Sequence, residues 1–152
     1  MNSYTKLPKK QLYSILLLCS IIILSETITV MIKVKDINLF KDYLINLGFT
    51  LELGSLYSEH FSSYVAMNLS YFFFNILIPV SISIHSYIAF MSIRISKLFV
   101  FIWTVLILGS LAYTIIGFNL KSIFYYINIF SYILLLLTIL SLNKVIDNIK
   151  GL

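Results

Sequence analysis

The 152-residue sequence predicts an all-α membrane protein with four transmembrane helices. Hydrophobic residues make up 60% of the chain and charged residues only 11%, whereas soluble domains carry about a quarter charged residues. The mean hydropathy is +0.98. Four apolar runs each reach the ~20 residues that a helix needs to cross a ~30 Å hydrocarbon core. A soluble enzyme and a nucleic-acid-binding module are therefore excluded, and the lipid bilayer is the first expected partner.

Charged residues mark the limits of the four apolar runs. Only Glu26 interrupts the first run, which lies between Lys10 and Lys33, and the other three contain no Asp, Glu, Lys or Arg. We predict a single transmembrane domain over 1–152 with these spans: 12–32, 71–93, 98–118 and 123–142.

The 33–62 segment is the largest part outside the predicted spans. Asp36 fits the N-cap of a helix and Gly48 fits its C-terminal cap. Between these caps, apolar residues at helical spacing define one face: Phe40, Tyr43, Leu44 and Leu47. The pattern predicts an amphipathic helix on the outer side of the membrane. It fits a lid over the protein's own helices, which we favour, or a recognition surface for a partner.

The distribution of Lys and Arg predicts the orientation. Seven of the eleven flank the amino terminus, the second connection and the carboxyl-terminal tail. Because cytoplasmic loops carry an excess of Lys and Arg, we expect both termini in the cytoplasm and 33–62 outside. The many Lys and Ile residues favour an AT-rich genome such as that of a low-GC bacterium, and hence a multi-pass protein of the cell membrane.

Glu26 is the most informative residue, since a carboxylate within the hydrocarbon is costly unless it is paired, hydrated or protonated. At helical rise it lies about 10 Å below the outer boundary, and polar residues of the other spans fall at a similar depth. These residues are Asn75, Thr114 and Asn128. The pattern predicts a polar layer in the outer half of the bundle. Interhelical hydrogen bonding is the favoured role, and a binding site for a cation, proton or small ligand is the alternative.

The second span carries two further candidates. Pro79 cannot donate to the carbonyl of Asn75, so we expect a kink or hinge with spare polar groups there. His85 lies toward the cytoplasmic side, too far from Glu26 for a direct acid–base pair. A hydrogen-bonded packing role for His85 is favoured over a pH-sensitive one.

No motif for catalysis, phosphate binding or metal binding is evident, so we expect neither an enzyme nor a cofactor or metal. The first hypothesis is a small non-enzymatic accessory, regulatory or immunity-type protein that binds another membrane protein or peptide laterally. Its size and layout resemble those of bacterial accessory subunits and bacteriocin immunity proteins, with no shared motif. The alternative is a small oligomeric transporter or channel that uses the Glu26 layer. A holin-like pore former is a weaker third hypothesis.

Overall fold

The computed structural model describes residues 6–49, 57–91, 95–116 and 122–150. These residues form five α-helices: α1 (Lys9–Lys35), α2 (Ile37–Asn46), α3 (Tyr57–Met91), α4 (Lys97–Ile116) and α5 (Ile123–Lys150). All except α2 are long and apolar enough to cross a membrane. The prediction of an all-helical chain with four such helices is confirmed, and it indicates a membrane protein.

Two long helices extend well beyond the predicted spans. α3 already begins at Tyr57, and α5 continues to Lys150. Neither extension contains a Gly or Pro that would stop a helix, so polar residues simply continue the helices past the apolar run. The ends of two predicted spans (92–93 and 117–118) and the 50–56 part of the outer segment lie outside the described residues.

The four long helices run alternately up and down. The start of α3 contacts the end of α1, and the start of α4 contacts the end of α5. The Tyr64 hydroxyl of α3 donates to the Lys33 carbonyl of α1 at 2.9 Å, and the Lys97 ammonium of α4 lies 2.8 Å from the Asp147 carboxylate of α5. We call the end of the bundle that carries α2 the α2 end, and the opposite end, where α1 starts and α5 finishes, the terminal end.

Contacts between the helices are uneven. α1 packs extensively against α3 and α5, and α4 packs against α5, whereas α3 and α4 touch much less. Inward-facing aliphatic side chains of α1 and α5, such as Ile15, Ile22, Leu135 and Leu142, form the core together with Ile82 of α3. The bundle is therefore a ring of four helices whose weakest side lies between α3 and α4.

α2 is a short helix with defined caps at both ends. The Asp36 carboxylate accepts from the Asn38 amide at 2.9 Å, as expected of an N-cap. At the other end Gly48 has φ +82°, and the Gly48 and Phe49 amides donate to carbonyls of the last turn. Both caps predicted from the sequence are confirmed.

One face of α2 is buried on the bundle. Phe40 and Leu44 are buried against Tyr64 of α3, and Tyr43 packs at the edge of this cluster. Leu47, which the sequence pattern assigned to the same face, is instead 51% exposed. α2 ends one residue before Leu47, and the turn into Gly48 carries this side chain away from α3.

Candidate functional site

A hydrogen-bonded cluster around Glu26 connects three of the long helices. The Asn75 amide of α3 donates to Glu26 Oε2 at 3.0 Å, and the Asn128 amide of α5 donates to Oε1 at 2.5 Å. Glu26 is only 9% exposed and Asn128 only 3%. Each carboxylate oxygen thus receives an N–H from a different neighbour of α1, which ties the three helices together at one depth.

The cluster forms one wall of a cavity of about 400 Å³ at the α2 end. All four residues predicted to share a layer line this cavity, so the structure brings them together. Thr114 does not touch Glu26: its hydroxyl donates to the Ser110 carbonyl of its own helix at 2.9 Å. We call this space the Glu26 cavity, and its remaining lining residues are Thr29, Lys33, Tyr71, Tyr113, Ile116, Ser122 and Tyr125.

Lys33 is the second charged group of the Glu26 cavity. It lies seven residues after Glu26 on α1, which corresponds to about 10 Å along the helix axis. In the described part of the chain the two side chains form no ion pair. The carboxylate is therefore held by amide groups rather than by a direct cation.

Pro79 connects the cluster to a further residue that the sequence did not predict. α3 continues through Pro79, which is buried. Because proline has no N–H, the Asn75 carbonyl loses its helical partner. The Tyr132 hydroxyl of α5 takes over, donating to the Asn75 carbonyl at 3.2 Å. Asn75 thus contacts α1 through its side chain and α5 through its backbone.

A groove opens between α3 and α4 beside the Glu26 cavity. It has a volume of about 600 Å³, and mostly apolar side chains line it, including Phe74, Ile78 and Val105, with Tyr132 of α5 at its base. The Glu26 cavity and this α3–α4 groove share Asn75 and Tyr113 as lining residues, so the two spaces are adjacent.

His85 lies toward the terminal end, where α3 and α4 do meet. Its Nδ1 accepts a hydrogen bond from the Trp103 indole N–H at 3.1 Å, and its ring packs against Phe99. This contact agrees with the favoured packing role. The pH-sensitive role of His85 and the hinge role of Pro79 remain predictions.

Sequence reasoning missed Lys33, Tyr113, Tyr125 and Tyr132 as residues of the site. Depth along each helix could be counted from the sequence, but the rotation of α4 and α5 about their axes could not. One signal was available for Tyr132: the carbonyl freed by Pro79 had to find a donor on a neighbouring helix.

Comparison with models of known protein families, with curated proteins and with solved structures found no match.

Proposed function

We propose that the chain is a small non-enzymatic accessory or regulatory protein of the cell membrane that binds a transmembrane helix of another protein in the α3–α4 groove. The observation that carries this proposal is the weak contact between α3 and α4, which pack much less closely than the other neighbouring helices of the ring and leave a groove between them. A partner helix placed there would complete the ring of packed helices.

The chemistry of the groove suits a helix as its occupant. Gly109 of α4 lines the groove, and nothing lies within 4 Å of the position that a side-chain carbon would take there. Such an open glycine lets another helix backbone approach closely, as small residues do at contacts between transmembrane helices. Ser110 adds a polar group beside the apolar walls, and its hydroxyl oxygen can accept a hydrogen bond from a partner helix.

The Lys and Arg distribution supports an orientation with both termini in the cytoplasm. α2 then lies on the outer side, packed as a lid on α3 through Phe40 and Leu44. Reporter fusions at the carboxyl terminus and within 33–62 test this orientation: an enzyme active only outside the cytoplasm is expected to work in the second fusion alone.

Site-specific photocrosslinking in native membranes tests the binding proposal. A photoreactive phenylalanine analogue replaces Phe74 or Val105 in the groove, and Leu24 serves as the control because it is 62% exposed on α1, the helix across the ring from α4. We expect one discrete cross-linked partner from both groove positions and none from the control. Equal labelling at all three positions, or labelling of lipid alone, would contradict the proposal.

A small oligomeric transporter or channel is the second candidate, and the Glu26 cavity favours it. Toward the terminal end, the described core is mainly apolar and includes Ile22, Ile82 and Leu135. A single copy would therefore need a conformational change, or a second copy, to conduct. Flux through liposomes that contain the purified protein, compared between wild type and Glu26→Gln, tests this candidate: equal flux in protein-free liposomes would reject it.

A further inference from the structure

Several hydrogen-bond donors at the depth of Glu26 are already engaged within the protein. One N–H of each of the amides of Asn75 and Asn128 is directed to the Glu26 carboxylate. The hydroxyls of Thr29 and Thr114 each donate to a main-chain carbonyl one turn earlier in their own helix. The hydroxyl oxygens of both threonines therefore retain accepting capacity toward the Glu26 cavity.

Acceptors in the same layer remain unused. An ionised carboxylate has about four lone-pair positions, and the two amides occupy two of those on Glu26. Asn128 Oδ1 has no hydrogen-bond partner in the described residues, but Asn128 is only 3% exposed and this oxygen is buried away from the cavity. The free lone pairs of Glu26 and the accepting hydroxyl oxygens of the threonines make this layer suited to a ligand that brings N–H groups.

The size and lining of the cavity indicate an organic ligand. Its volume of about 400 Å³ lies within the ~300–1,000 Å³ typical of small-molecule pockets. Three tyrosines, Tyr71, Tyr113 and Tyr125, line it, and aromatic rings attract organic cations. A divalent metal ion would need three or more ligands of its own, whereas this layer offers one carboxylate.

We propose that the Glu26 cavity binds a small organic amine in its protonated form. The ammonium group donates to the Glu26 carboxylate and the Thr114 hydroxyl, while the apolar body lies among the tyrosine side chains. Lys33 stays at the α2 end of the cavity, about 10 Å along α1 from Glu26. This site goes beyond the binding of a partner helix and does not depend on it.

Equilibrium binding to the full chain, purified in mild detergent, tests the proposal with three probes of similar size. 2-Phenylethylamine carries a protonated amine, 2-phenylethanol is neutral, and 3-phenylpropionate is an anion. We expect saturable binding of the amine and only non-saturable partitioning of the other two. Excess sodium chloride should not displace the amine, because Na⁺ lacks the apolar body that the tyrosine rings accommodate.

Two pairs of variants locate the site. Glu26→Gln should lower the affinity for the amine at least tenfold, equal to about 1.4 kcal/mol, whereas Glu59→Gln makes the same change at an exposed carboxylate and should have no effect. Thr114→Val should cost about threefold. Thr27→Val is its matched control, because the Thr27 hydroxyl also bonds a carbonyl of its own helix but lies outside the cavity lining.

The helical circular dichroism and gel-filtration profile of each variant establish that it is folded, and Thr114→Val keeps the test valid if Glu26→Gln does not accumulate. Saturable amine binding that is lost in Glu26→Gln or reduced in Thr114→Val, with both controls unchanged, supports the site. Failure of the amine to bind saturably, equal binding of the alcohol, or unchanged affinity in both cavity variants would overturn it. Cross-linking in the groove is measured separately, so failure of partner binding leaves this result intact.

Discussion

The hydrogen bond between the Tyr132 hydroxyl and the Asn75 carbonyl gives a sharp test of the fold, because its contribution to the free energy of unfolding depends on Pro79. In the wild type the carbonyl has no helical donor, and Tyr132 is the donor that reaches it, at 3.2 Å. Replacing Pro79 with Ala restores a main-chain N–H one turn later, which can bond the same carbonyl. Tyr132→Phe should therefore destabilise the wild type more than it destabilises the Pro79→Ala variant.

The expected magnitude follows from the bonds that are lost. Interhelical hydrogen bonds in membranes contribute about 0.6–1.7 kcal/mol, and Tyr132 is buried, so no water replaces it readily. We expect Tyr132→Phe to cost about 1–1.5 kcal/mol in the wild type and less than about 0.5 kcal/mol in the Pro79→Ala background. Any contact that Tyr132 makes with Ser110 is lost in both backgrounds and cancels in the difference.

The double-mutant cycle compares the wild type, Tyr132→Phe, Pro79→Ala and the double variant. Each purified protein is unfolded in mixed micelles with increasing SDS, and circular dichroism gives its free energy of unfolding. A coupling of about 0.5–1.5 kcal/mol between the two positions is expected. Ser20→Ala, which removes an exposed hydroxyl bonded within α1, is the control and should show no coupling with Pro79→Ala. If Tyr132→Phe costs the same in both backgrounds, the assignment of Tyr132 as the donor that replaces the proline N–H is wrong.

Four further predictions concern the cluster, the core and α2. Glu26→Leu should lower the free energy of unfolding by about 1–3 kcal/mol more than Glu26→Gln, because Leu leaves the amides of both Asn75 and Asn128 without an acceptor, whereas Gln keeps one accepting oxygen; equal stability in the SDS titration would refute this. Phe40→Ala should release α2 from α3 while the four long helices stay folded, seen as faster hydrogen exchange confined to α2. Gly48→Ala should cost about 1 kcal/mol at the same helix, because an L side chain is strained at φ +82°, and unchanged exchange in α2 would argue against the cap. Cys19 is fully buried, so a membrane-permeant maleimide should modify it slowly until SDS unfolds the bundle, as followed by mass.

Hydropathy and helical rise were enough to predict the elements and the depth of the polar residues. The four apolar runs correspond to helices because lipid requires each spanning backbone to satisfy its own hydrogen bonds. Asp36 and Gly48 marked the limits of α2 because caps depend on local chemistry. α3 and α5 are longer than the predicted spans, since a helix continues beyond the hydrocarbon where no Gly, Pro or cap stops it.

The partners within the site were harder to predict than its depth. Asn75 and Asn128 were placed level with Glu26, but nothing in the spacing says that each amide reaches a different carboxylate oxygen. His85 was expected to have a hydrogen-bonded packing role, but the spacing did not indicate its observed partner, Trp103, which lies on α4. Such pairs depend on the order of helices around the ring and on their rotation, which single-helix periodicity does not contain.

The hydrogen bonds and the ion pair between helices explain which sides of the ring are closed and which side is open. Between lipid-exposed helices, apolar side chains hardly discriminate one rotation from another, because lipid tails are as apolar as leucine. Polar contacts must therefore select the arrangement. α1 is held to α3 and α5 through Glu26, and α4 is held to α5 by the Lys97–Asp147 pair at the terminal end.

α3 and α4 have such a bond at only one described level, between His85 and Trp103 toward the terminal end. Toward the α2 end, the residues of α3 that face α4 are mainly apolar, and the one amide among them, Asn75, is directed to Glu26 instead. With no directional bond to close it, this side of the ring opens as the groove. The Glu26 carboxylate thus organises the closed sides of the bundle by engaging an amide that would otherwise be available to α4.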